Sequence, residues 1–159
     1  MITGLDRIER DILIQAPLET VWKIVTEPAQ LSRWFSDAAD FEFRPRGEGT
    51  FTWNLVGTPK GGKAATVIRL RVEKVEPPFL FSFRWNHPPG EEPRVGNSAM
   101  VEFRLTAEEN GTRLRVIESG LASLELAEDE KRTYYDGHVR GWDVHMRSVV
   151  AYVAGTKGT

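Results

Sequence analysis

The chain has 159 residues, 21 Lys plus Arg against 23 Asp plus Glu for a net charge of −2, and no cysteine. That length suits one domain, residues 1–159, whose core needs no staple. The balanced charge excludes a basic nucleic-acid footprint, and the cysteine count excludes disulfides, a thiolate nucleophile and Cys-ligated zinc.

The N-terminal MITGLDRIERDILI intersperses charges where a signal peptide needs an apolar run. No later stretch approaches the ~18 apolar residues of a membrane span. A soluble, cytoplasmic protein without membrane insertion is the expectation. Ile8, Ile12 and Ile14 share a parity, which predicts a first strand over 7–15. Pro17 suits the first position of a helix, and Leu18, Val21, Trp22 and Val25 then fall on one face. That helix stops before Pro28, where a second short one places Leu31, Trp34 and Phe35 together.

From residue 39 the period changes to two. Phe41 and Phe43 alternate with charges, and Phe51, Trp53 and Leu55 follow after the Gly-rich RPRGEG turn. Ile68, Leu70 and Val72 mark a strand near 65–76 that ends at Pro77-Pro78, and Phe79, Phe81, Phe83 and Trp85 mark the next. The long HPPGEEPRVGN loop precedes a strand over 98–106, and Asn110-Gly111 is a favoured hairpin dipeptide. The last strand carries Leu114, Val116 and Glu118 on one side. Residues 128–154 have a helical period: Tyr135, His138, Val139, Met146, Val149 and Val153 share a face with Trp142. Gly137 and Gly141 each weaken that helix by roughly 1 kcal/mol relative to Ala.

The segment GTPKGGKAAT, Gly57 to Thr66, has the glycine and lysine spacing of a phosphate-binding loop. Its lysine is followed by Ala64 where a Mg²⁺-binding hydroxyl is needed, and the alternation after it predicts a strand. A phosphate loop leads into a helix whose N-terminus holds the anion, so an ordinary hairpin loop is the reading.

This order of elements, with APLETVWKIVTEPAQLSRWF at 16–35, FSFRW at 81–85, GTRLRVIESG at 111–120 and GWDVHMRSVVAYV at 141–153, resembles the START-like (SRPBCC) superfamily. Within it the chain is most similar to homologues of the activator of the heat-shock-protein-90 ATPase. The resemblance implies an α+β helix-grip fold: a curved antiparallel sheet of about seven strands wrapped around a long C-terminal helix, with two short helices after the first strand. An apolar cavity between sheet and helix is part of that expectation. Members of the superfamily bind lipids, hormones or polyketides, and some are cyclases or aromatases. The eponymous co-chaperones carry an additional N-terminal domain, for which this length leaves no room.

Trp34, Phe35, Trp53, Phe83, Trp85, Trp142 and Met146 are the bulky groups expected between sheet and helix, as cavity lining or as plain core. Glu118 stands on the face that is otherwise apolar, where a carboxylate is costly unless paired. His138 is one candidate partner, with Arg and Tyr side chains or a ligand as others, and an exposed strand end is the alternative. Of the histidines, His87 is expected to be exposed in its proline loop. His138 and His145 stand about 10.5 Å apart along a helix, too far for the i, i+4 pair that holds a metal. No metal site, cofactor or catalytic triad is expected.

The leading functional expectation is a module that binds a small apolar or aromatic ligand. A chaperone-directed interaction module and an enzyme of cyclase, dehydratase or hydrolase type using Glu118 with His138 are the alternatives. The ligand's identity and the oligomeric state are left open by the sequence.

Overall fold

A computed structural model of the chain describes residues 6–53 and 66–157. Seven strands form one antiparallel sheet: β1 (Ile8–Ile14), β2 (Ala38–Phe41), β3 (Glu48–Trp53), β4 (Thr66–Glu76), β5 (Leu80–Trp85), β6 (Ala99–Glu108) and β7 (Gly111–Ser119). Their spatial order is β1-β7-β6-β5-β4-β3-β2, so β2 to β7 follow as successive neighbours while the first strand closes the far edge beside the last. Helices α1 (Leu18–Thr26) and α2 (Pro28–Trp34) fill the connection from β1 to β2, and α3 (Glu128–Lys157) ends the fold. This is the expected helix-grip arrangement of a curved sheet and a long C-terminal helix.

The period-two rows become the inner face. Phe51, Phe81, Phe83 and Phe103 on β3, β5 and β6 are fully buried, and burial of each such ring contributes about 1.5–3 kcal/mol. Opposite them, the apolar stripe of α3 sets Trp142, Met146, Val149 and Val153 in the same core. The helix is also tied at its sides: Arg10 on β1 donates to Asp143 at 2.7 Å, and Tyr152 meets Gln30 of α2. Glu27 caps the break between the short helices and Pro28 opens the second, whose Trp34 indole N–H donates back to the Ile24 carbonyl at 2.9 Å.

Several expectations shift in detail. Phe43 lies beyond the end of β2 and is 37% exposed, its ring set against Trp22 and Phe81. Phe79 belongs to the turn before β5 and is 55% exposed. The β6–β7 hairpin turns at Glu109 and Asn110, one residue before the Asn-Gly dipeptide, because Glu108 pairs with Gly111. Gly111 takes φ +148°, and a Cβ there would stand 2.2 Å from the Ile14 carbonyl oxygen, so the position has room only for glycine.

His87 corrects the reading of an exposed histidine: only 6% of it is accessible, and its Nδ1 has no hydrogen-bond partner among the described residues. Removal from water holds its pKa below the usual histidine value. Both Leu55 and the glycine–lysine segment up to residue 65 lie outside the described residues; the element that follows is strand β4. No helix among the described residues is long and apolar enough to cross a membrane.

Candidate functional site

The parity that turns Leu114 and Val116 inward also turns Glu118 inward, and Glu118 is completely buried. An ionised carboxylate removed from water needs its lone pairs filled, and here four donors fill them. Oε2 accepts from the Trp85 indole N–H at 2.8 Å and from the Tyr134 hydroxyl at 2.9 Å. Oε1 accepts from the Trp142 indole N–H at 2.9 Å and from His138 Nδ1 at 2.7 Å. Indole N–H groups only donate, so an acceptor at every position matches them, and that acceptor is the carboxylate. Charge-assisted bonds of this kind contribute about 1.5–3 kcal/mol each, which offsets the desolvation of the anion.

Secondary structure sets this geometry. Tyr134, His138 and Trp142 follow at steps of four along α3, so they share one stripe of the helix, about 6 Å apart per step. Trp85 comes from the end of β5, two strands from Glu118 across β6. Immediately after it Asn86 takes φ +73°, a conformation asparagine tolerates better than most residues, and its amide donates to the Tyr134 oxygen at 2.9 Å. Burial, and next the charge of Glu118, push the Tyr134 pKa well above the ordinary phenol value, so it remains an O–H donor. The Tyr134 and His138 rings stack, with centroids 3.9 Å apart.

His138 thus spends Nδ1 on Glu118 while the side chain keeps 23% of its surface. His138 also lines a cleft of about 220 Å³. The rings of Trp53, Trp85 and Trp142 form the aromatic walls, with Thr66 and Ile68 of β4 beside them. Helix α3 adds Gly137, Gly141 and His145 to the same wall. A Cβ built on either glycine meets nothing within 4 Å, so neither is glycine because a neighbour crowds it.

His145 faces the cleft without a hydrogen bond to any described residue. Its ring lies 4.6 Å from Phe35, 5.5 Å from Trp142 and 6.2 Å from Trp53 between centroids. Burial among these rings, and then the charge of His138, lower its pKa to about 4. At neutral pH it is an uncharged imidazole.

Sequence reasoning placed Trp53, Trp85, His138 and Trp142, which the structure gathers at the cleft, and Glu118, which lies directly behind it. Trp34, Phe35, Phe83 and Met146 sit in the packed core instead. Phe35 packs near-parallel to both Trp85 and Trp142 at 5.9 and 5.7 Å. The layer between sheet and helix is filled there ring against ring, and the open space lies to one side of it. Tyr134, Asn86 and His145 were not assigned to the site. The spacing of Tyr134 and His138 on one helical stripe is the signal that points to the first. Among the described residues no group of three His, Asp or Glu side chains is arranged to hold a metal ion.

Comparison with solved structures supports the same architecture. Protein NE0264 from Nitrosomonas europaea is 15% identical, covers 99% of this chain and 100% of its own, and superimposes with a TM-score of 0.76. Protein MLL2253 from Mesorhizobium loti is 23% identical over 94% of this chain and 98% of its own, with a TM-score of 0.68. SA2116 from Staphylococcus aureus, a protein of unknown function, is 15% identical over 96% of each chain, with a TM-score of 0.72. At these identities the likeness is one of fold. A search of curated proteins found no match. The family model described as "Activator of Hsp90 ATPase homolog 1-like protein" matches residues 15–154, and the chain belongs to that family.

Proposed function

We propose that the protein binds a small, planar, uncharged molecule in the cleft between β3–β5 and the first half of α3. The observation that carries this reading is the pair Gly137 and Gly141. Each costs the helix roughly 1 kcal/mol relative to alanine, yet no described residue occupies the space that a side chain there would take. That space opens onto three indole rings and two imidazoles, a surface suited to stacking with a few polar anchors.

The volume narrows the occupant. An apolar cavity of about 150 Å³ holds one benzene, and the cleft measures about 220 Å³. A two-ring aromatic matches it. Among the described residues no Lys, Arg, Asp or Glu side chain lines the cleft, which favours an uncharged ligand. The family description supports a chaperone-directed role in general terms, and the cleft supports the small-molecule reading.

Native mass spectrometry of the protein purified from its own cells tests this. A retained mass of two-ring size is the expected result, absent from a Gly141→Leu variant whose added side chain fills the cleft. Equal retention by both proteins contradicts the reading.

A further inference from the structure

Resting on that ligand-binding reading, we propose that the cleft catalyses proton transfer at the carbon beside the carbonyl of an aryl-fused ketone, with His138 as base and His145 as the group that holds the carbonyl oxygen. The arrangement of Glu118 carries this furthest. Of the four donors that satisfy the buried carboxylate, three, Trp85, Tyr134 and Trp142, take up no proton at neutral pH. The fourth donor is the one titratable base among them, set 2.7 Å from the anion and lining the cleft.

That geometry defines a direction for the proton. With Nδ1 committed to Glu118 and the ring on the cleft wall, Nε2 is the nitrogen left to serve as base. When Nε2 takes a proton, the imidazolium lies against a buried anion already in place, so the charge is compensated with no rearrangement. Tyr134, stacked on the ring, fixes its plane.

One turn beyond Gly141, His145 supplies the complement. It is uncharged at neutral pH, is bonded to no described residue, and lies in the same aromatic wall. A neutral imidazole N–H is a fitting donor to a carbonyl oxygen on which charge grows.

The step balances without a co-reactant. The α C–H bond breaks and its electron pair becomes the C=C bond of the enolate. The carbonyl π pair moves to oxygen, held by the His145 N–H, and the proton resides on His138 Nε2. Return of a solvent proton to the same carbon gives isotope exchange, and its delivery to a conjugated carbon gives isomerisation. Trp53, Trp85 and Trp142 provide the stacking surface that the aryl portion needs.

The test uses 2-tetralone, a two-ring ketone, with the full-length protein in deuterated buffer. Binding is read from quenching of tryptophan fluorescence and deuterium incorporation from the loss of the α-proton NMR signals. Exchange at least tenfold above buffer is expected. His138→Asn keeps an N–H aimed at Glu118 but removes the base, and returns exchange to background while 2-tetralone still binds within a few-fold. His145→Phe slows exchange about 10²-fold, the scale of one lost oxyanion donor. Binding without exchange overturns the activity and leaves the binding reading intact. Exchange that survives in His138→Asn overturns the base, and failure of 2-tetralone to bind overturns both readings.

Discussion

Replacing Glu118 with glutamine changes two atoms' worth of chemistry at a fixed volume, and the four donors make its cost calculable. One end of the amide still accepts, but the other presents an N–H₂ to a pair of donors. If the amide nitrogen takes the Oε2 position, the Tyr134 hydroxyl can rotate to accept, while the Trp85 N–H cannot. If it takes the Oε1 position, His138 can shift its proton to accept at Nδ1, while the Trp142 N–H cannot. Either orientation leaves one buried indole N–H facing a donor. The loss of a charge-assisted bond and the orphaned donor together cost about 3–5 kcal/mol, the scale of a broken buried charged pair. For a urea slope of about 2 kcal/mol/M the unfolding midpoint drops by roughly 1.5–2.5 M. Glu125→Gln, which removes an exposed partner of Arg94, leaves the midpoint unchanged in the same assay. A shift for Glu118→Gln below about 0.5 M refutes the claim that the four-donor carboxylate anchors α3 to the sheet.

Gly141→Ala is expected to raise stability by up to about 1 kcal/mol in thermal or urea unfolding while weakening ligand binding, since its methyl enters open cleft space. Gly111→Ala has the opposite sign: its Cβ meets the Ile14 carbonyl, and a melting temperature equal to the parent's contradicts the hairpin geometry. His145 has a folded pKa of about 4 against about 6.5 when unfolded, so the unfolded chain binds its proton first as pH falls. Its share of stability is therefore intact above pH 6.5 and is lost between 6.5 and 4. The loss reaches up to about 2 kcal/mol by pH 5, and unfolding curves of His145→Phe over that window should show a shallower slope than the parent.

The alternation of Phe51, Phe81, Phe83 and Phe103 and the helical stripe around Trp142 were readable in the sequence because period two and period 3.6 are local signals. The family-like wording of residues 16–35 and 141–153 then set their order in space. The inward parity of Glu118 marked it as anomalous, and His138 was readable as one of several candidate partners. Two of its donors were not legible: Trp85 and Trp142 read as apolar bulk, and the polar end of an indole finds its acceptor only across the assembled sheet. A proline-rich loop predicts exposure for His87, whereas the histidine is buried near Glu48 of β3 and Arg69 and Arg71 of β4. Gly137 and Gly141 read as helix weaknesses, and their meaning emerged once the helix wall was seen to border open space.

The most direct measurement of the binding claim follows the five indole N–H signals in ¹H–¹⁵N spectra during titration with 2-naphthol, a neutral two-ring aromatic. The account predicts saturable shifts at Trp53, Trp85 and Trp142, with Trp22, set against Phe43 away from the cleft, unmoved. Shifts that do not saturate, or that spread equally to Trp22, contradict it.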